Sequence, residues 1–263
     1  FSDMFKEYNQ NRTSGNMESI WVMQLEYNTT GGGGANEDWT KRAWVPKYYN
    51  EDGFVLADSL GGRGLAQIVP FKWWIDSNDF FASSDIRNSE YNIKRNWYYN
   101  DASSDKYGKK AEITEETWTK FTIYPAVTKF FYGKAEDLSY GGNNKDRMKF
   151  RLAETYLLLA EARLMQNNAQ AADAINVIRK RANAPEITAK DATIDFLLDE
   201  RIRELVGEEL RRFTLVRTGK LVERVKKYNP HSNTMDEHHT LWPIPQTIID
   251  SNTGAEFPQN PGY

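Results

Sequence analysis

Residues 151–183 read RLAETYLLLAEARLMQNNAQAADAINVIRKRAN, and their spacing predicts two helices joined by a short turn. Asn167-Asn168 breaks the first helix, and Pro185 ends the second. Ala160 and Ala172 are 12 residues apart with a proline 13 residues later, which approximates the small-residue spacing of a tetratricopeptide hairpin. The predicted apolar faces are Leu152, Tyr156, Leu159, Ala160 and Arg163 on the first helix, and Ala171, Ala172, Ile175, Ile178 and Ala182 on the second.

Charged segments follow this hairpin. A charge-dense helix is predicted from Thr193 to about Val206, because Thr193 suits a helix N-cap and apolar residues recur behind it. Its charges are most simply interpreted as a solvated face or as ion pairs between helices, each worth little. A basic stretch covers 211–227. From Tyr228 onward the repeated prolines exclude a long helix and predict an extended tail.

These segments, in this order, resemble the C-terminal half of the SusD/RagB family. RLAETYLLLAEA (151–162) is similar to the family's signature helix, and AINVIRKRA (174–182) to the helix after it. WPIP (242–245) and QNPGY (259–263) match the family's ending. Weaker similarity extends upstream to Glu18-Ser19-Ile20 and to the middle of the chain, so the resemblance spans nearly the whole sequence.

The resemblance implies a mainly α fold, in which tetratricopeptide-like helical hairpins pack with an irregular, loop-rich and aromatic-rich segment containing short strands. Family members are cell-surface lipoproteins of Bacteroidetes-type polysaccharide utilisation. They capture glycans, and sometimes peptides, for a SusC-like TonB-dependent transporter in the outer membrane. Because the match covers roughly half of a typical member, we expect this chain to be a fragment or a processed product. The signal peptide and lipid anchor then belong to the absent N-terminal half.

Residues 35–110 have weak periodicity, and the resemblance identifies 1–146 as the family's middle segment, in which we expect the ligand-binding loops. We expect 147–263 to form the helical segment and tail, and both parts to make one structural domain. The predicted elements of the first part are a strand at 19–27, a flexible surface loop at 31–34, a short helix at 71–76, a hairpin at 90–99 turning at 100–101, and an extended piece at 119–124.

Composition excludes several classes of function. The 263 residues carry a formal charge of -3, and phosphate binding needs a basic face, which argues against nucleic acid as the main partner. The absence of cysteine excludes disulfides, thiolate nucleophiles and zinc–cysteine sites. No apolar run approaches the ~18 residues of a membrane helix. No serine, cysteine or P-loop motif of a catalyst occurs, and no carboxylate pair stands out for glycoside cleavage.

The aromatic content of 13% suggests carbohydrate binding, in which flat apolar rings pack on sugars and planar polar groups bind hydroxyls. Adjacent Trp73 and Trp74 on a helix point ~100° apart, and Tyr98 on a strand faces opposite to Trp97 and Tyr99. At least one residue of each group is therefore expected at the surface. The candidate ligand-binding residues are Trp39, Trp44, Tyr48, Tyr49, Trp73, Trp74, Trp97, Tyr98 and Arg63, with Tyr99 beside them.

Each candidate also has a structural interpretation. An aromatic residue is more often part of a core than a ligand platform. Arg63 and Arg87 bind sugar hydroxyls or a carboxylated ligand in one interpretation, and pair with Asp58, Asp76 or Asp85 in the favoured one.

Metal binding has little support in the sequence. His238-His239 beside two acids suggests a metal, but adjacent histidines on an extended chain point in opposite directions, which predicts a polar loop instead. No cofactor is expected. A structural calcium on Asp and Asn side chains around 100–105 or 136–146 stays an unspecific alternative.

Three functions remain to be distinguished. The first is non-catalytic capture of an oligosaccharide for transport, which exposed coplanar aromatics would favour. The second is a peptide-binding or transporter-docking helical scaffold, which an apolar groove between helices would favour. The third is a hydrolase, which needs two carboxylates about 5–9 Å apart in a cleft.

Overall fold

The computed structural model describes residues 1–26, 29–30, 38–77, 79–135 and 137–263. These residues form two compact units, Phe1–Val206 and Gly207–Tyr263. The predicted division into 1–146 and 147–263 stays a prediction, although strand pairing joins its two parts.

Most of the regular structure is helical, as predicted. In the described residues the α-helices are α1 Thr40–Trp44, α2 Lys72–Ile75, α3 Glu115–Thr119, α4 Leu152–Met165, α5 Ala171–Arg181, α6 Ile194–Leu205, α7 Arg211–Arg217, α8 Leu221–Tyr228 and α9 Gln246–Ser251. The strands are β1 Ser19–Met23, β2 Ile93–Lys94, β3 Trp97–Tyr98, β4 Lys110–Ala111, β5 Ala126–Val127 and β6 Arg147–Arg151. Short 3-10 helices cover Ser2–Phe5, Arg12–Ser14, Tyr48–Asn50, Asp58–Leu60, Ile86–Asn88, Thr128–Phe130 and Glu237–Thr240.

Helices α4 and α5 form the predicted hairpin, and α6 packs against α4. The apolar face predicted for α5 is confirmed, since all five of its residues are buried. The face predicted for α4 is partly wrong, because Leu152 and Leu159 are exposed and the buried side is built around Ala153, Leu157 and Ala160. Small alanines allow α5 to approach closely, and the run Leu157-Leu158-Leu159 marks no single face.

The strands form three two-stranded antiparallel sheets, β1–β6, β2–β5 and β3–β4. β1 is shorter than the strand predicted at 19–27, whose residue 27 lies outside the described residues, as does the glycine loop at 31–34. The hairpin predicted at 90–99 is wrong in detail, since β2 and β3 pair with different partners. The extended piece predicted at 119–124 is also wrong. The Thr114–Thr117 capping box starts α3, which ends at Thr119. The chain then turns at Phe121, whose φ is 61°.

The first unit is held together by two apolar clusters with buried charges beside them. One cluster is aromatic-rich and comes from residues 44–130, and the other joins α4, α5 and α6. Five of the buried charged residues, Asp85, Arg87, Arg151, Glu200 and Glu204, are here called the charged core. Arg87 pairs with Asp85 at 2.7 Å, Glu200 at 2.8 Å and Glu204 at 3.1 Å.

Of the two interpretations of the charges on α6, ion pairs between helices are confirmed, since Glu200 pairs with Arg179 and Glu204 with Arg181 of α5. A solvated face is wrong for these two carboxylates. Glu200 and Glu204 are fully buried. Burial alone would raise the pKa of Glu204, but the charges of Arg151, Arg181 and Arg87 outweigh it and hold that pKa well below its usual range. The pairing of Arg87 with Asp85 is also confirmed.

The second unit contains α7, α8 and α9. The extended tail predicted from Tyr228 is interrupted by the 3-10 helix Glu237–Thr240 and by α9, which begins directly after Pro245. The prediction that His238 and His239 point in opposite directions is wrong, because the 3-10 helix brings their ring centroids to 3.8 Å. Tyr263 packs edge-on against His238 at 5.2 Å.

Candidate functional site

The predicted ligand-binding residues differ strongly in exposure. Trp39, Arg63 and Tyr98 are exposed, Tyr49, Trp73 and Tyr99 are half-buried, and Trp44, Tyr48, Trp74 and Trp97 are buried. Burial removes the last four from the set of residues that contact a ligand.

The buried candidates belong to the aromatic-rich cluster. Tyr48 stacks on Trp97 with centroids 5.9 Å apart, and the Trp97 indole N–H donates to the Tyr124 carbonyl at 3.1 Å. The Tyr48 hydroxyl donates to the Ala57 carbonyl at 3.0 Å, and burial raises the Tyr48 pKa to about 12. These rings therefore hold the irregular segment together.

The remaining aromatic candidates lie on separate elements. Tyr98 faces opposite to Trp97, as predicted for a strand, and is 51% exposed. Its neighbour across the β3–β4 pair is Lys110. Of the adjacent pair on α2, Trp74 is buried and Trp73 packs edge-on against Phe80 at 5.4 Å.

Among the predicted ligand-binding residues, Trp39 has the neighbours that best suit contact with a ligand. It precedes the first residue of α1 and is 43% exposed. Asp38 fixes the chain just before the helix, since its Oδ1 accepts from the Thr40 backbone N–H at 2.8 Å. The Asn143 side-chain amide donates to the Thr40 hydroxyl at 3.1 Å, which ties α1 to the loop at 141–144. The indole is thus presented by a helix that is anchored on two sides.

Arg42 supports Trp39 from the next turn of α1. Its guanidinium carbon lies 4.3 Å from the Trp39 ring centroid, within the range of a cation–π contact. The Nε–Nη2 edge of the guanidinium abuts Gly141, where a Cβ would lie 1.7 Å from Nη2 and 2.0 Å from Nε. Only glycine leaves room at 141 for Arg42 in this position. The guanidinium is therefore positioned by the indole of Trp39 and by the backbone at Gly141, which lies against one of its edges.

The turn carrying Arg63 packs along α1. The Leu65 N–H donates to the Arg42 carbonyl at 2.8 Å, and the Tyr49 hydroxyl donates to the Gly64 carbonyl at 2.8 Å. A Cβ on Gly64 would lie 2.0 Å from the Val45 carbonyl oxygen, so glycine is required for this approach. We call Trp39, Arg42, Arg63 and Gly141 the Trp39 surface.

A third cation lies behind this surface. Lys41 is buried, donates to the Tyr140 carbonyl, and has its Nζ 5.3 Å from the Tyr140 ring centroid. Burial, followed by the nearby charge of Arg42, lowers the Lys41 pKa to about 8. Lys41 and Arg42 thus add positive potential beside the indole.

Sequence reasoning missed Arg42, Lys41 and Gly141. A usable signal for Arg42 was its position three residues after Trp39, which brings two side chains together on a helix. Gly141 carried no comparable signal, because its role depends on a contact between distant parts of the chain.

A small cavity of about 200 Å³ is a weaker candidate site. Its lining includes Trp118, Asp76 and Arg95. The Lys72 ammonium lies 4.9 Å from the Trp118 ring centroid and pairs with Glu115, so this ring already has a cationic neighbour.

The described part of the chain offers no group of three or more His, Cys, Asp or Glu side chains that could hold a metal. Asp101 and Asp137, in the two segments considered for calcium, each accept hydrogen bonds from the serine two residues later. A calcium site stays a prediction. Among the described residues, no helix is both long enough and apolar enough to cross a bilayer.

The family profile, the curated relatives and the solved structures that match this chain all point to one family. The sequence profile of the SusD family matches residues 1–263. The starch-binding protein SusD of Bacteroides thetaiotaomicron is 35% identical over 119 residues, which are 43% of this chain and 21% of that protein.

Solved structures match over the whole chain. Surface glycan-binding protein A from Bacteroides fluxus has a TM-score of 0.62 at 25% identity, covering 100% of this chain and 54% of that chain. The corresponding protein from Bacteroides thetaiotaomicron, in complex with laminarihexaose, has a TM-score of 0.66 at 22% identity, covering 99% and 54%. This chain therefore spans about half the length of these solved relatives.

Proposed function

Because the chain belongs to the SusD family, we propose that it binds an oligosaccharide without cleaving it and takes part in glycan uptake. The relatives support this proposal, since one is named for binding starch and another was solved with laminarihexaose. The observation that carries it here is the Trp39 surface: an exposed indole held by Arg42 at the start of an anchored helix. Aromatic faces with planar polar groups beside them suit sugar rings and hydroxyls.

The proposal extends to the setting of the protein. We place the chain in a lipid-anchored protein on the outer-membrane surface that works with a SusC-like TonB-dependent transporter. The family supports this placement.

The test is a glycan screen by affinity gel and calorimetry with the Trp39→Ala variant. We expect the affinity for the bound glycan to fall roughly tenfold or more, as for a central aromatic anchor. No released sugar is expected on prolonged incubation.

Trp242→Ala is the matched control. Trp242 is 62% exposed and also lies under an arginine, with the Arg212 guanidinium carbon 4.2 Å from its centroid. The control variant should bind like the unmodified chain. Unchanged binding by Trp39→Ala would place the ligand elsewhere, and glycan cleavage would contradict non-catalytic capture.

Exposed apolar side chains on α4 favour a second candidate function, docking to a partner protein. Leu158 and Met165 are 43% and 54% exposed. A Leu158→Lys variant that binds glycan normally but no longer associates with the transporter would support docking through α4.

A further inference from the structure

The guanidinium of Arg42 is oriented but not neutralised. Trp39 lies within cation–π distance of it and Gly141 abuts its Nε–Nη2 edge, which leaves the N–H groups of the Nη1–Nη2 end for a carboxylate. In the described part of the chain these groups donate no hydrogen bond and form no ion pair. Arg42 is half-buried and none of its nitrogens is a buried atom without a partner, so these N–H groups are accessible to a ligand.

Two acids near Arg42 among the described residues, Asp38 and Asp137, interact with other groups. Asp38 accepts from Thr40 through Oδ1 and acts electrostatically on the buried Lys145. Asp137 acts on Lys41 and accepts hydrogen bonds from Ser139. Neither forms an ion pair with Arg42 among the described residues.

A second guanidinium reinforces the same charge. Arg63 is exposed on the turn that packs along α1, and it too has no ion pair or hydrogen bond within the described ranges. With Lys41 behind them, these cations make the Trp39 surface positive in a chain whose formal charge is -3. Such a local excess attracts an anionic ligand.

We propose that the Trp39 surface selects acidic glycans, with a uronic-acid carboxylate paired to Arg42 and the sugar ring on the exposed part of Trp39. A carboxylate matches the planar fork of a guanidinium through two parallel hydrogen bonds. Because Trp39 and Gly141 already fix Arg42, little side-chain freedom is lost on binding. This inference rests on the proposed function and names the substrate class of that site.

The test compares acidic oligosaccharides with their carboxyl-reduced counterparts. Oligogalacturonides and oligomannuronates are titrated into the unmodified chain by calorimetry, each beside its neutral partner. We expect at least one acidic oligosaccharide to bind about tenfold or more tightly than its partner. The difference should shrink as salt is raised from low to high concentration.

Two variants at position 42 identify the group that reads the carboxylate. Arg42→Gln should remove the preference for the acidic sugar, while neutral binding should fall only by the roughly two- to fivefold expected from loss of the cation–π contact with Trp39. Arg42→Lys should keep only part of it, because an ammonium is a point charge without the planar fork. Arg212→Gln, at the other Trp–Arg contact, should change nothing.

The outcomes separate the two proposals. Equal affinity for acidic and reduced sugars, or binding to neutral glycans alone, overturns the acidic preference and leaves glycan capture standing. Preference for sulfated over carboxylated sugars overturns the uronate assignment. Binding to no glycan at all overturns both.

Discussion

Arginines occupy two contrasting settings in this chain. In the charged core, Arg87 and Arg151 are fully buried and each pairs with carboxylates of the protein. At the Trp39 surface, Arg42 is half-buried beside an indole and a glycine, with no carboxylate partner among the described residues. The difference indicates that the core arginines are satisfied by the fold itself, whereas Arg42 is oriented for a group that comes from outside.

The largest effect is expected from Glu204→Gln. The change removes the negative charge that Arg151, Arg181 and Arg87 share. Arg151 and Arg181 then keep Glu18 as a carboxylate partner, which lies 3.5 Å from Arg151. Breaking such a buried pair typically costs roughly 3–5 kcal/mol. Urea unfolding followed by fluorescence should show this loss, and a stability equal to that of the unmodified chain would mean that the charged core is not structural.

Acidification should destabilise the first unit through the same carboxylates. The pKa values of Glu200 and Glu204 are below their ordinary 4.5 in the folded chain, so the unfolded chain binds more protons as pH falls below that value. Stability should therefore be constant well above pH 4.5 and fall progressively below it. Melting temperatures measured across this range should drop for the unmodified chain and change less for Glu204→Gln.

Gly141→Ala tests Arg42, the arginine at the Trp39 surface. The added methyl collides with the guanidinium of Arg42, a flexible end that moves aside and leaves Trp39. Because a cation–π contact at such a site is worth about 0.5–1 kcal/mol, glycan affinity should fall roughly two- to fivefold with little change in stability. Gly254→Ala is the control, since a Cβ there meets nothing within 4 Å.

The smallest effect is expected from Glu116→Gln. Glu116 pairs with Lys120 on the exposed surface, where solvent and side-chain entropy offset the attraction. No shift in the urea midpoint should be measurable. A shift comparable to that of Glu204→Gln would remove the distinction between buried and exposed charges on which the comparison depends.

The sequence predicted elements whose signals are local. The α5 face, the Thr193 cap of α6 and the opposite orientations of Trp97 and Tyr98 all follow from helical or strand periodicity. Family resemblance added the overall fold and the position of the aromatic-rich segment.

What the sequence did not predict depends on contacts between distant residues. The charges of α6 follow the same spacing whether they face solvent or Arg87, and only the folded chain places Arg87 there. Trp39 precedes α1 and Trp44 ends it, yet Trp44 belongs to the core and Trp39 to the surface. Gly141 acquires its importance from Arg42, which is far away in the sequence. The neighbouring contact between Lys41 and Tyr140 likewise joins residues 99 positions apart.

The pairing of β1 with β6 has a consequence for how the chain reaches its fold. Glu18 and Arg151, at one end of this pair, are 133 positions apart along the chain. Closing so long a loop has an entropic cost that local helical contacts do not have. We therefore expect α4 and α5 to form early and β1 to dock late, so that the carboxylate of Glu18 reaches Arg151 and Arg181 only in the final stage of folding.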